Sequence, residues 1–238
     1  TFTVKAADVL ASGATTSTLQ AGSTNGNTEN IDSVVVAPKS ITTPGTQAAN
    51  IKVIQKNATS TANESFTAVV TGPAYLTSNA AVGGASRPTS GTGITVKAGD
   101  FVQVWSNGTA GTATITLTSM SGLVLGTEKV VFYGAVTGIK QTQAPVKSVA
   151  RAGGYSTTGA FTISATDANG NPVPGLTVTG TSSNVNVISS VTITEDATTP
   201  GDYLVDYASS ASSKSGDTAT ITFKTVDPAV TTSVAYLT

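Results

Sequence analysis

Cysteine and histidine are both missing from this chain, and methionine and tryptophan occur once each. Without cysteine no disulfide can staple the fold and no thiol can act as a nucleophile. Without histidine a serine–histidine pair cannot be built, and zinc loses both of its preferred ligands. Charge is scarce as well: Asp, Glu, Lys and Arg make up 11% of the residues, against roughly 25% in an average soluble domain. The net charge is −1. No stretch concentrates Lys or Arg, whereas a nucleic-acid binder needs a basic stripe to neutralise phosphates. No run of about eighteen apolar residues is present, so the sequence predicts no membrane span. The chain opens on strand-like Thr1-Phe2-Thr3-Val4 rather than on a signal peptide, as expected of a mature or excerpted segment.

What fills the sequence is hydroxyl: 44 Thr and 26 Ser in 238 residues. Thr and Val are β-branched, stiff at χ1 and favoured on pleated surfaces. Leu, Glu, Lys and Met, the usual helix material, are few. With 39% hydrophobic residues there is enough apolar material for real cores. The composition predicts an all-β fold. It also resembles that of bacterial exported proteins such as surface-layer proteins, fibrous adhesins and pilins, which implies an extracellular, cell-surface location.

Two segments read as copies of one another. One runs Gly111-Thr-Ala113-Thr-Ile115-Thr-Leu117 and is followed by Val130 to Tyr133; the other runs Gly216 to Phe223 and is followed by Val234 to Leu237. Apolar residues alternate with Thr in both, the period of a half-buried strand. Ala113, Ile115 and Leu117 are expected to face one core, and Ala219, Ile221 and Phe223 another. The spacing of about a hundred residues is that of one immunoglobulin-like sandwich. Reading outward places strands near 31–36, 50–55, 66–71, 93–96, 101–105, 112–118 and 129–133. A second set falls near 146–150, 160–166, 175–181, 185–193, 203–207, 218–224 and 233–237. The expected organisation is two tandem immunoglobulin-like β-sandwiches, at 31–136 and 144–238, joined by a linker at 134–143. Residues 1–30 are read as an N-terminal strand and linker, with a short turn within 6–20. Thr1 to Lys5 is either the last strand of a preceding domain, a strand exchanged with a neighbour, or an edge strand of the first domain.

The second segment resembles bacterial Ig-like domains of the invasin/intimin type. The carriers are Phe161 to Gly175 (Phe-Thr-Ile-Ser-Ala-Thr-Asp-Ala-Asn-Gly-Asn-Pro-Val-Pro-Gly), the Gly-x-Tyr within Thr199 to Tyr203, and the terminal-strand pattern at Gly216 to Phe223. They span about 144–238; the first segment matches only in its last two strands and departs at 72–100. The resemblance implies a stalk, spacer or lattice module of a surface protein, whose partners are copies of itself or neighbouring domains. An adhesin with a glycan or cell-surface receptor as partner, its recognition loop at 72–100, is the alternative. A structural or decoration protein of a phage virion is another.

Candidate chemistry is sparse. No pair of carboxylates suggests a glycosidase, and no glycine-rich phosphate loop opens a helix, so no enzyme is expected. Asp167, Asn169 and Asn171 place three oxygen-bearing side chains on alternate positions, as flexible calcium loops do. The same residues also read as a plain Asp/Asn-Gly hairpin turn. Calcium is thus the one candidate cofactor, and no other is expected. Glu195, Asp196, Asp202, Asp206 and Asp217 form a second acidic group in the sequence, which also reads as edge solubilisation. Asn57, Asn63 and Asn107 fit the glycosylation sequon. Trp105 reads either as a sugar-stacking platform or as core.

Overall fold

A computed structural model of the chain describes residues 15–24, 32–40, 47–56, 64–142, 153–226 and 228–237. They form two units, the first ending at Phe132 and the second beginning at Tyr133. Both are immunoglobulin-like β-sandwiches, and no helix occurs among the described residues.

In chain order the first unit contains β1 (Thr16–Ala21), β2 (Val35–Pro38), β3 (Ala49–Ile54), β4 (Phe66–Thr71), β5 (Ala74–Asn79), β6 (Gly93–Val96), β7 (Phe101–Ser106), β8 (Gly111–Ser119) and β9 (Val124–Tyr133). One sheet has the order β1-β3-β7-β5 and the other β2-β9-β8-β4-β6. Ile51, Leu76, Val102 and Val104 from the first sheet meet Phe66, Ala68, Ile115, Leu117 and Phe132 from the second. Alternation in β8 is complete: Ala113, Ile115 and Leu117 are buried while the intervening Thr residues point the other way.

The second unit contains β10 (Val136–Gln141), β11 (Ser156–Asp167), β12 (Val178–Ser182), β13 (Ile188–Glu195), β14 (Asp202–Ser209), β15 (Thr218–Thr225) and β16 (Thr231–Leu237). Its sheets run β10-β11-β14-β13 and β12-β15-β16. Phe161 of β11 and Phe223 of β15 meet across the sandwich, ring centroids 5.8 Å apart and planes at 72°. Such an edge-to-face pair adds about 0.5–1.5 kcal/mol to its area burial. Ile163, Val205, Tyr207 and Ile221 pack around it.

The structure differs from the sequence reading in three strands. The linker expected at 134–143 holds β10, whose pairing with β11 shifts register between Val136 and Gly138. The extra residue puts Val136 and Ile139, three apart, both into the core, so the strand shows no alternation in the sequence. Residues 16–21, read within the N-terminal segment, form β1, which pairs with β3 from Thr16↔Ile54 to Ala21↔Ala49. The 72–100 stretch read as an irregular insertion contains β5 as well as β6, the strand expected at 93–96, with 80–92 connecting them. Thr1 to Lys5 and the strand expected at 146–150 lie outside the described residues.

If inter-sheet packing carries each unit, Phe223→Ala should lower stability by about 3–5 kcal/mol and Ile115→Ala by about 2–5 kcal/mol. Urea unfolding followed by circular dichroism measures both; a loss under about 1 kcal/mol at either position would contradict the packing described.

Candidate functional site

The Asp-Ala-Asn-Gly-Asn sequence closes a tight hairpin at the end of β11. Asp167 N–H donates to Asn171 O (2.9 Å) and Gly170 N–H to Asp167 O (3.0 Å). Gly170 has φ +80°, the left-handed conformation that glycine adopts without a Cβ penalty. The buried Asp167 carboxylate then accepts four N–H groups. Oδ1 takes the backbone N–H of Asn169 (2.8 Å) and Asn171 (2.9 Å), and Oδ2 takes Gly134 N–H (2.8 Å) and Asn171 Nδ2 (3.0 Å). Burial pushes this carboxyl up, but the bonds from Asn171, Gly134 and Asn169 outweigh it and hold it below the ordinary carboxylate range.

The structure therefore brings Asp167 and Asn171 together directly, whereas Asn169 joins through its backbone. That arrangement does not fit a calcium ion. Both carboxylate oxygens face the positive ends of N–H dipoles, and Asn171 presents its NH2 rather than its oxygen. No group of three or more His, Cys, Asp or Glu that could hold a metal occurs among the described residues. The Asp/Asn-Gly residues act here as a turn that anchors Gly134, at the start of the second unit.

The Gly-x-Tyr pair explains itself in the same place. Gly201 has φ +85°, and a Cβ on it would lie 2.7 Å from Pro172 Cβ and 2.9 Å from Val173 N. Two residues on, the buried Tyr203 hydroxyl donates to Val173 O (3.1 Å) and accepts Leu176 N–H (3.0 Å). Both Glu195 oxygens accept Gly175 N–H, at 3.1 and 3.0 Å. The Pro-Val-Pro-Gly segment is thus held from three sides. Burial, with the Glu195 charge adding to it, raises the hydroxyl pKa of neighbouring Tyr133.

The remaining acids are used singly. Asp196 accepts Thr198 N–H and Oγ1–H, at 2.8 and 2.7 Å. Ser164 Oγ donates to Asp202, and Asp206 accepts Gly159 N–H. Asp217 accepts Lys214 N–H at 2.8 Å. Asp202 opens β14 and Asp217 follows the loop after its last residue, so roughly 25 Å of strand separates them. They make no common site.

In the first unit Trp105 is buried, 1% exposed, and its Nε1–H donates to Thr77 Oγ1 at 2.8 Å. A ring so enclosed offers no stacking platform. Asn107 Oδ1 accepts Thr109 N–H at 3.0 Å in a local turn; Asn57 and Asn63 lie outside the described residues.

Sequence reasoning missed Glu128. It stands two residues before Val130 and four before Phe132, on the same inward face of β9, and is 7% exposed. That spacing was the available signal. Ser17 Oγ of β1 donates to its carboxylate. Burial raises the Glu128 pKa, the Ser17 bond offsets part of this, and the Asp32 charge adds to the rise. The contact is close: a Cβ on Gly126, two residues earlier in β9, would meet Ser17 Oγ at 2.1 Å.

The described strands define an all-β protein of two immunoglobulin-like sandwiches. No protein-family model matches the chain, and no curated protein matches it either. Among solved structures it is similar to one titled "Structure of Yersinia pseudotuberculosis InvD", at 14% identity and a TM-score of 0.36. The similarity covers 93% of this chain and 56% of that one, so the chain spans about half the length of the structure it matches.

Two outcomes test these anchors. Gly201→Ala and Tyr203→Phe should each destabilise the second unit, by about 1–3 kcal/mol for the lost tyrosine bonds alone; differential scanning calorimetry that finds either variant as stable as wild type would contradict the clamp. The two buried carboxyls should respond to acid in opposite senses. Asp167, with its folded pKa depressed, contributes stability above its unfolded value near 4, lost as pH falls through the folded one. Glu128, with its folded pKa raised, stabilises most below its unfolded value of about 4.3, and that contribution is lost as pH rises through the folded pKa. Asp167→Ala should therefore flatten the acid limb of the stability–pH curve, and Glu128→Gln should raise stability at neutral pH. Equilibrium unfolding between pH 3 and 8 measures both, and unchanged curves would refute the assignments.

Proposed function

We propose that the chain is a structural module of an extracellular bacterial surface protein, a surface-layer, fibre or stalk repeat that builds or spaces a surface assembly. One observation carries this reading: each unit is a sandwich with its own core, and successive units are joined by almost no free chain. β9 ends at Tyr133 and β10 begins at Val136, leaving Gly134 and Ala135 outside strands, and Gly134 is itself hydrogen-bonded to Asp167. Short connections between self-contained units suit a spacer.

The composition supports it. Strands β8 and β15 turn Thr residues outward and charged groups are few, so these sheet faces are uncharged. Its partners in this reading are further copies or neighbouring domains of the same assembly. The adhesin alternative has one observation in its favour, the partly exposed 80–92 connection between β5 and β6.

Sedimentation velocity over a concentration series, with negative-stain electron microscopy of the same samples, tests the assembly. Concentration-dependent association into ordered sheets or fibres is expected. A monodisperse monomer at the highest concentration, with or without calcium, would overturn it.

A further inference from the structure

At the end of the second unit away from the Asp167 turn, a groove of about 640 Å³ opens between two loops, lined by Asn184, Asn186, Val187, Ser212, Asp217 and Thr218, with Gly216 between them. We propose that this groove binds a neutral, polyhydroxylated ligand, a carbohydrate chain.

Its walls are built before any ligand arrives. Asn184 O accepts the N–H groups of Val187 and Ile188, both at 3.0 Å, and closes one loop. Asn184 Oδ1 accepts Asn186 N–H at 3.0 Å, which fixes the orientation of the carboxamide. In the facing loop, Lys214 N–H donates to Asp217 Oδ2 at 2.8 Å and Asp217 N–H to Lys214 O at 3.1 Å. Ser212 Oγ donates to Asn186 O at 3.5 Å and ties the loops together.

With these backbone groups satisfied, side-chain groups are left over. Among the described residues Asn184 Nδ2, the Asn186 carboxamide and the Thr218 hydroxyl make no hydrogen bond. Val187, 3% exposed, closes the floor of the groove from the core side and leaves the polar groups to make the contacts.

The chemistry of the lining selects the ligand class. Asp217 is its one acid, the Asn184 side-chain oxygen is already taken by Asn186 N–H, and so little negative charge gives a calcium ion small reason to shed its water. No Lys or Arg lines it, so nothing draws an anion. The polar lining gives an apolar molecule little to bury against. What matches a carboxylate set among carboxamides and a hydroxyl is a ligand whose groups both donate and accept, as sugar hydroxyls do. An open, wet groove of this kind gives affinity in the millimolar range, about −4 kcal/mol, which repetition of the module along an assembly would multiply. The site does not depend on whether the chain assembles, so its test and the assembly test fail separately.

Nuclear magnetic resonance of the 15N-labelled chain decides it. The methyl glycosides of glucose, galactose, mannose and N-acetylglucosamine are titrated separately to about 20 mM, above the expected dissociation constant. Saturable shifts of the Asn184 and Asn186 side-chain NH2 resonances are expected with at least one sugar. Asn186→Ala and Asp217→Asn should each weaken that binding about tenfold or more, a loss of about 1.4 kcal/mol. Thr218→Val, on an exposed strand position where valine is at home, should weaken it with the spectrum otherwise unchanged. The proposal is overturned if none of the four sugars produces a saturable shift, if the shifts fall elsewhere, or if the folded Thr218 and Asn186 variants bind as well as wild type.

Discussion

Most of the described strands have one face for the core and one for water, β7 alone burying large apolar side chains on both. That constraint governs the rest, because the usual supplements are missing: there is no disulfide, little charge, and no helix among the described residues to cover a sheet. Stability must come from facing two sheets and filling the space between them. The sequence meets the demand by alternating Ala, Ile, Leu or Phe with Thr, a pattern that β8 carries from Thr112 to Thr118 and β15 from Thr218 to Phe223. β-branched Thr on the wet face serves the pleated backbone as well as Val does on the dry one. A one-residue slip would put hydroxyls in the core, so the pairing register is fixed by the same pattern.

Packing alone does not hold the loops, and here polar anchors take over. At one end of the second unit a carboxylate, a tyrosine hydroxyl and a second carboxylate each collect backbone N–H groups that the sheets leave unpaired: Asp167 at the hairpin, Tyr203 and Glu195 over the Pro-Val-Pro-Gly segment. Gly201 allows that segment to approach closely. A short sequence signature, Asp-x-Asn-Gly with Gly-x-Tyr some thirty residues later, thus describes one connected piece of structure. In the first unit Glu128 and Ser17 make the corresponding polar contact between β9 and β1, at the cost of a desolvated carboxyl.

The alternating strands were legible because each inward residue stands two from the next. β8, β11, β14 and β15 could be placed within a few residues. β10 was hidden by a bulge: one added residue brings Val136 and Ile139 to the same face at a spacing that belongs to no strand. β5 follows Gly72-Pro73, so turn signals masked it, and β1 lies in a hydroxyl-rich stretch with Leu19 as its single large buried side chain. Asp167 shows the limit of reading a site from residue types. Oxygen-bearing side chains at alternate positions suggest a cation, yet the direction of the N–H groups, which only the folded chain shows, makes the carboxylate an acceptor instead. Glu128 carries no mark of burial but its period, two from Val130 and four from Phe132, which places it inside.

The Asp167 anchor is made entirely of dipoles. Its four partners are amide N–H groups, three from the backbone and one from Asn171, and none is a Lys or Arg. An ion pair on a protein surface is weakened by dissolved salt, which crowds counter-ions around both partners. Buried amide donors gather no such atmosphere. A hairpin tied in this way keeps its grip in fresh water and in brine alike.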